Sequence, residues 1–405
     1  MEQWVYIDAR QGLLANMSRL QLPRVGVFMS QDFDFFDPRH YENVRSPLLE
    51  ASALPGWCYT SEDFYTREVR EIFLKSWNLV GREDEIPNAG DYLIHDMCDE
   101  SAIVVRADDG SINAFANTCR HRGTRLLEEQ GHCRAIICPY HGWTYDRAGR
   151  LVGTRGMERS LAFHREDNNL IPVRLESWGG FLFICYANEV EPLDQWLGNL
   201  PEQFASYDLD NMVCTRRKHY DLKCNWKIYV ENAMEDYHTA TVHKLSIGLV
   251  DCLRIEAKGH WDAIFAYSDR TIAVLAEDEV PFPHIEGLQG LPSQGSFFTV
   301  VYPASFFGNT QDCMWWLQSI PYAPDRMRVI IGSCFPRTTV EREDFETSAS
   351  VYYKRWDKAL PEDNDISERQ QRGLASSLSR PGRLSAHEPV VHALDNWVLD
   401  RVLHP

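Results

Sequence analysis

The stretch Asn117–Asp146, NTCRHRGTRLLEEQGHCRAIICPYHGWTYD, decides how the chain is read. Cys119-x-His121 is followed, after sixteen residues, by Cys138-x-x-His141, so two thiolates and two imidazoles arrive on two short hooks. Such a set suits either a tetrahedral zinc or a [2Fe–2S] cluster in which two His replace two Cys on one iron. Common zinc hooks pair two Cys or two His, each pair spaced by two or more residues. Here each hook carries one Cys and one His, so both thiolates can reach one iron and both imidazoles the other. The spacing favours the cluster.

The flanks carry a resemblance. The segment resembles the Rieske domain of ring-hydroxylating and N-demethylating non-haem iron oxygenases, whose usual wording is CxHRG…CPYHGWxYD. Cys119, His121, Arg122, Gly123, Cys138, Pro139, Tyr140, His141, Gly142, Trp143, Tyr145 and Asp146 match it here. A cluster of this kind only stores one electron, so the activity has to come from elsewhere in the chain.

At 405 residues there is room for two domains, each with its own core. A hydrophobic content of 44% and an aromatic content of 12% describe a globular protein, not a disordered or fibrous one. The net charge of −18 argues against a nucleic-acid partner, which calls for a basic surface, and leaves room for a cationic substrate or partner. Eleven Cys, an odd number spread thinly, fit a reducing cytosol better than a disulfide framework. No run approaches eighteen apolar residues and the N-terminal stretch has no apolar signal core, so the expectation is a cytoplasmic protein with no membrane partner.

Residues 1–55 mix aromatics, acids and prolines without period and read as an irregular N-terminal arm. Ser61 then reads as the cap of a helix with Phe64, Val69, Ile72 and Phe73 on one side. Short strands follow in SWNLVGRE, DYLIHDM, SAIVVRA and INAFAN, and the β pattern closes with GGFLFICYA, which places an all-β domain over residues 56–187. From 188 to 405 long strands are expected in MVCTRRKHYDLK, AIFAYSDRTIAVL, GSFFTVVYP, DCMWWLQSIP and RMRVIIGSCFP. Three helices are expected after them, at about 341–360, 363–378 and 386–403, the last capped by Ser385 and Glu388. The fold class is α+β: an antiparallel sheet covered by helices, behind an all-β domain.

The second candidate site is Glu235-x-x-His238-x4-His243. A helix over 225–239 would set Glu235 and His238 on one face, and two His with a distant carboxylate would make the facial triad of non-haem Fe(II). A polar helix whose His residues merely bond to neighbours explains the pair equally well. The surroundings tip the balance: Asn225-Trp226-Lys227, Glu231-Asn232, Glu235-Asp236-Tyr237-His238 and His243 resemble the NWK…EN…[DE]xYH…H signature of the catalytic domain of the same oxygenases.

The resemblance implies a [2Fe–2S] Rieske cluster on Cys119, His121, Cys138 and His141, and a mononuclear Fe(II) on His238 and His243. It puts the third iron ligand in PEDNDISERQQRGL, at Asp363, with Glu362 and Asp365 close enough to be confused with it. Asn232 matches an Asn near the iron. Glu235 matches a carboxylate that bridges one subunit's iron-ligating His to the next subunit's Rieske centre, which implies a homotrimer assembled head to tail. Dioxygen and a small-molecule substrate are implied. The chain has neither a GxGxxG nucleotide loop nor a plant-type ferredoxin Cys spacing, so a separate NAD(P)H-dependent reductase or ferredoxin must supply the electrons.

Glu at 235, shared with choline, carnitine and betaine-type members, favours oxidation of a methylated or quaternary amine over ring hydroxylation or dihydroxylation of an aromatic acid. Trp315, Trp316, Phe297, Phe298, Phe306, Phe307 and Tyr302 are candidates to box in such a cation. A Rieske electron carrier without oxygenase activity is the more remote alternative, since it would need only the first domain.

Overall fold

The computed structural model describes residues 33–244 and 246–404. Of the expected N-terminal arm, residues 1–32 lie outside the described part. From residue 35 onward the arm is turns and short 3₁₀ segments, and its Tyr41, Val44 and Leu54 are buried in the main core.

Among the described residues, four antiparallel sheets organise the fold. The strand Glu100–Arg106 is the middle of the N-terminal part, paired with Asp91–Met97 on one side and Ile112–Ala116 on the other. Its side chains alternate between faces. Ile103 and Val105 join a cluster with Cys119, Cys138, Trp143 and Tyr145, while Ala102 and Val104 join one with Leu182 and Ile184. The hooks are thus anchored from below by one face of this strand.

The C-terminal part is a seven-stranded sheet in the order Met212–Leu222, Arg326–Pro336, Met314–Ala323, Ser305–Asn309, Gly295–Val301, Trp261–Tyr267, Cys252–Ile255. Apart from the first strand it is a run of hairpin neighbours, and it matches the α+β class expected. The sequence missed Ser305–Asn309 and Cys252–Ile255, and AIFAYSDRTIAVL is strand only as far as Tyr267. Beyond it the chain leaves the sheet, with Arg270 tying down the carbonyls of Leu275 and Ala276.

Two helix expectations are corrected. The helices expected at about 341–360 and 363–378 are one, Phe345–Leu374, with Pro361 inside it. Pro361 cannot donate to the carbonyl of Asp357, which normally ends or kinks a helix. The far half is instead held by tertiary bonds: Gln371 accepts from the Asn225 N–H at 2.8 Å and donates to the Tyr59 carbonyl at 3.1 Å. The helix expected over 225–239 stops at Ala233, and a turn separates it from the short helix Thr239–Val242.

Ser61 caps the helix Glu62–Glu71, its Oγ accepting from the Phe64 N–H at 3.3 Å, but the buried side chains at its centre are Tyr65 and Glu68 while Val69 is only half-buried. Glu68 meets Lys227 of the helix Trp226–Ala233 at 2.6 Å, and both side chains are fully buried. Trp226 Nε1 also donates to Glu68, and Lys227 Nζ donates to Asn225 Oδ1 and to the Cys58 carbonyl. Residues 56–75, read from sequence as part of the all-β domain, therefore pack in the C-terminal core.

Burial raises the pKa of Glu68, and Lys227 offsets only part of that rise. Lys227→Met should strand the carboxylate and cost about 3–5 kcal/mol, the usual loss when one partner of a buried pair is removed. Lys227→Met with Glu68→Leu should recover more than half of it. Urea unfolding checks this; a single variant as stable as the double would show that the pair does not hold the two helices.

Candidate functional site

The two hooks are built alike. In each, the Cys carbonyl accepts from the N–H four residues on, Gly123 at 2.9 Å and Gly142 at 3.0 Å. Both glycines sit at positive φ, 75° and 73°, where a side chain would be strained. Backbone N–H groups of the turns then face sulfur: burial pushes the Cys138 thiol up, but the N–H groups of Tyr140 and His141, together with the Cys119 and Thr124 side chains, draw its pKa down. At Cys119 burial prevails and raises the thiol pKa, although the Tyr145 hydroxyl lies 3.4 Å from the sulfur.

The two imidazoles stand together, ring centres 4.8 Å apart, with His121 stacked on Trp143 and His141 on Tyr140. His121 Nδ1 is buried without any hydrogen-bond partner, and burial together with the nearby His141 and Arg122 lowers its pKa. A buried imidazole nitrogen with no hydrogen-bond partner, near two thiols, has the chemistry of a metal-ligand set. These four residues fit a [2Fe–2S] cluster bound through two Cys and two His.

The second site forms where the helix Trp226–Ala233 has ended. His238 Nε2 and His243 Nε2 lie 3.7 Å and 3.0 Å from one oxygen of Asp363, and one ligand atom from each of the three residues falls within 4.8 Å of the others. Each ring is gripped from behind: His238 Nδ1 by Glu235 at 2.6 Å, His243 Nδ1 by Glu362 at 2.8 Å. That fixes both rings with Nε2 turned to the common point, as carboxylates behind metal-ligating His do. Asn232 Nδ2 donates to Asp363 at 3.0 Å.

The geometry separates the three neighbouring acids. Asp363 faces the imidazoles, Glu362 backs His243, and Asp365 is exposed and paired with Arg369. Successive helical residues are turned about 100° apart, so Glu362 and Asp363 cannot both face the same point. Burial pulls the His243 pKa down, but the hydrogen bond and charge of Asp363, helped by Glu362, more than reverse it. Two His and one carboxylate, with the rest of the shell open, suit a non-haem iron.

These three residues line one cavity together with side chains of the seven-stranded sheet and of the long helix. Only Phe298, Phe306 and Trp315 of the seven aromatics expected there line it. Strand alternation explains the split: Phe297 and Phe307 point to the opposite face, where they pack on Phe204, Trp178 and Phe181. Gly308 lies opposite both Phe298 and Trp315, and a Cβ there would run into the Trp315 ring. Arg355, which sequence reasoning passed over, also lines the cavity; its signal was its place two helical turns before Asp363 on the same face.

Two family models match, "Rieske [2Fe-2S] domain" over residues 76–173 and "Ring hydroxylating alpha subunit (catalytic domain)" over residues 209–404. The glycine betaine monooxygenase oxygenase subunit of Chromohalobacter salexigens is 30% identical over 387 residues, covering 87% of this chain and 86% of its own. The chain belongs to the Rieske non-haem iron oxygenases. Chloroplastic choline monooxygenase of Arabidopsis thaliana is 27% identical, covering 88% of this chain and 83% of its own. A quaternary ammonium Rieske monooxygenase crystallised with L-carnitine has the same fold, with a TM-score of 0.75 at 22% identity over 88% of this chain and 97% of that one.

As a Rieske oxygenase the chain uses a [2Fe–2S] cluster and a mononuclear iron, and it depends on separate electron-transfer partners. No helix among the described residues is long and apolar enough to cross a membrane. Asp363→Ala should lose the mononuclear iron, taking the total from about three to about two irons per chain by ligand count, with the colour of the cluster unchanged. Asp365→Ala should keep all of it. Iron analysis and the visible spectrum check the pair; equal losses would remove Asp363 from the ligand set.

Proposed function

We propose that the chain is the oxygenase component of a system that oxidises a methylated or quaternary amine. One observation carries the reading: the His238, His243 and Asp363 side chains converge in a cavity that Phe298, Phe306 and Trp315 also line. Aromatic faces attract a cation whose charge is spread over methyl groups, where no hydrogen bond can hold it. The similarity to betaine and choline monooxygenase subunits supports the same substrate class.

In this reading Cys119, His121, Cys138 and His141 hold the cluster, and His238, His243 and Asp363 hold the iron. When bound there, the cluster would supply electrons one at a time and the iron would supply the activation of dioxygen. The chain's own residues do the rest. Glu235 and Glu362 fix the two imidazoles, Asn232 holds the Asp363 carboxylate, and the apolar walls exclude water and set a methyl group at the iron end. Insertion of one oxygen atom into a C–H bond of an N-methyl group, with two electrons and two protons reducing the other to water, gives an N-hydroxymethyl group. Collapse of that group releases formaldehyde and the demethylated amine.

The assembly we infer is a head-to-tail homotrimer in the cytoplasm, served by an NAD(P)H-dependent reductase or ferredoxin. His141 and Tyr140 are exposed at the tip of the Rieske domain, free to meet a neighbouring subunit, and Glu235 is the carboxylate that would receive His141 there. Glu235 Oε1 and Oε2 accept from the ring and the backbone N–H of His238, and each oxygen retains a lone pair for a further donor.

Oxygen uptake with a surrogate reductase, across methylated amines and aromatic acids, tests the function. The expected result is one formaldehyde per dioxygen with an amine; hydroxylated aromatic acid without formaldehyde would replace this reading with ring hydroxylation. Glu235→Gln should keep both metal centres and slow turnover by an order of magnitude or more, while Glu235→Leu, which leaves His238 Nδ1 without an acceptor, should also lose about 10- to 100-fold in iron affinity. Full activity in both would show that the carboxylate is dispensable.

A further inference from the structure

Arg355 lines the active-site cavity and is 5% exposed, on the same stripe of the long helix as Ala359 and Asp363. Eight residues of helix set it about 12 Å from Asp363 along the axis. Its guanidinium lies 5.1 Å from the centre of the Trp315 ring, and its Nε is buried without a partner. Among the described residues it has no hydrogen bond and no ion pair. Burial draws its pKa down to about 10, so it remains a cation at neutral pH. A buried, unpaired guanidinium costs several kcal/mol, and it is retained most readily where a ligand supplies the missing partner.

The charges at the two ends of the cavity differ. Glu235 and Asp363 line the wall beside the imidazoles, with Glu362 behind His243, while Asp236, also in the wall, is taken up by the Cys252 N–H and by His387. The carboxylates therefore lie beside the imidazoles, and the guanidinium of Arg355 stands about two helical turns away. A free cation would gain at the first end and lose at the second. A molecule that carries both charges gains at both.

We propose that Arg355 is a specificity-determining residue that binds the carboxylate of a zwitterionic substrate, so that the cavity takes quaternary ammonium carboxylates in preference to a cationic alcohol. The inference rests on the methylated-amine reading and narrows it. A guanidinium accepts a carboxylate through two parallel hydrogen bonds, which would orient the ammonium methyls toward the far end. Trp315 then has two tasks, backing Arg355 and closing the aromatic wall.

The test compares glycine betaine, its methyl ester, choline and benzoate, with dissociation constants from calorimetry on the resting holoenzyme, KM from oxygen uptake, and iron content. The wild type should bind glycine betaine at least tenfold tighter than the ester or choline. Arg355→Met should weaken betaine about 100-fold while the ester and choline stay within about threefold, the loss expected when one side of a buried charge pair is removed. Arg355→Lys should fall between. Iron content should not change in either variant. The proposal is overturned if betaine and its ester bind alike with formaldehyde still formed, if Arg355→Met weakens all ligands equally, or if it strips the mononuclear iron. Binding of benzoate with neither ammonium compound bound would overturn the amine reading as well.

Discussion

The contact of His243 Nε2 with Asp363, 3.0 Å across 120 residues of sequence, is the constraint that the rest of this structure serves. Two imidazoles and a carboxylate do not stay together by themselves. Without a metal they compete for protons, and burial penalises each charge. The fold meets this from behind. Glu235 and Glu362 occupy the outward nitrogens, Asn232 holds the free side of the Asp363 oxygen, and the Ser246 hydroxyl donates to Glu362 at 2.5 Å. Each ligand is therefore positioned by a group that is itself positioned, which is what fixes a site to within a few tenths of an ångström.

The supports reach further back into the core. Helix Trp226–Ala233 carries Asn232 on its site-facing side and Lys227 and Glu231 on its buried side. Lys227 is paired with Glu68, and Glu231, which accepts from the Tyr59 hydroxyl, has a pKa pushed up to about 7 by burial. Asp395, from the C-terminal helix, is pushed well above the carboxylate range by burial and by the charge of Glu231. Three helices from distant parts of the chain thus meet in one ionisable cluster behind the iron site. An apolar contact would be cheaper there, but it would fix neither the rotation nor the register of the helix that delivers Asn232.

Most of the cluster-binding tip could be read from the sequence because its ligands, its glycines and its backbone donors all lie within thirty residues. The same is true of Glu235, His238 and His243. What could not be read needed distances in space. Nothing local separates Asp363 from Glu362 and Asp365; the helix phase does, and bonds from outside to Glu368 and Gln371 help to keep that phase continuous past Pro361. Likewise the pairs Phe297–Phe298, Phe306–Phe307 and Trp315–Trp316 look alike in sequence, and only the sheet register assigns one member of each to the cavity. The apolar pattern assigned no place to Glu68 or Arg355. Both are buried, and a buried charge is invisible to patterning until its neighbours are known.

The places where local rules fail cluster around the site. A helix that ought to run to Thr239 stops at Ala233, and a helix that ought to stop at Pro361 continues. The first departure lets Glu235 and His238 leave the helical track, so that the Glu235 carboxylate can curl back onto both the ring and the backbone N–H of His238. The second keeps Arg355, Ala359 and Asp363 on one stripe, so that a guanidinium and a metal-ready carboxylate share a cavity wall. Neither departure is favoured by intrinsic propensity, and both are sustained by packing elsewhere. A helix running on to Thr239 and a break at Pro361 would satisfy the local sequence better, yet they would leave three ligand atoms with no common point to face.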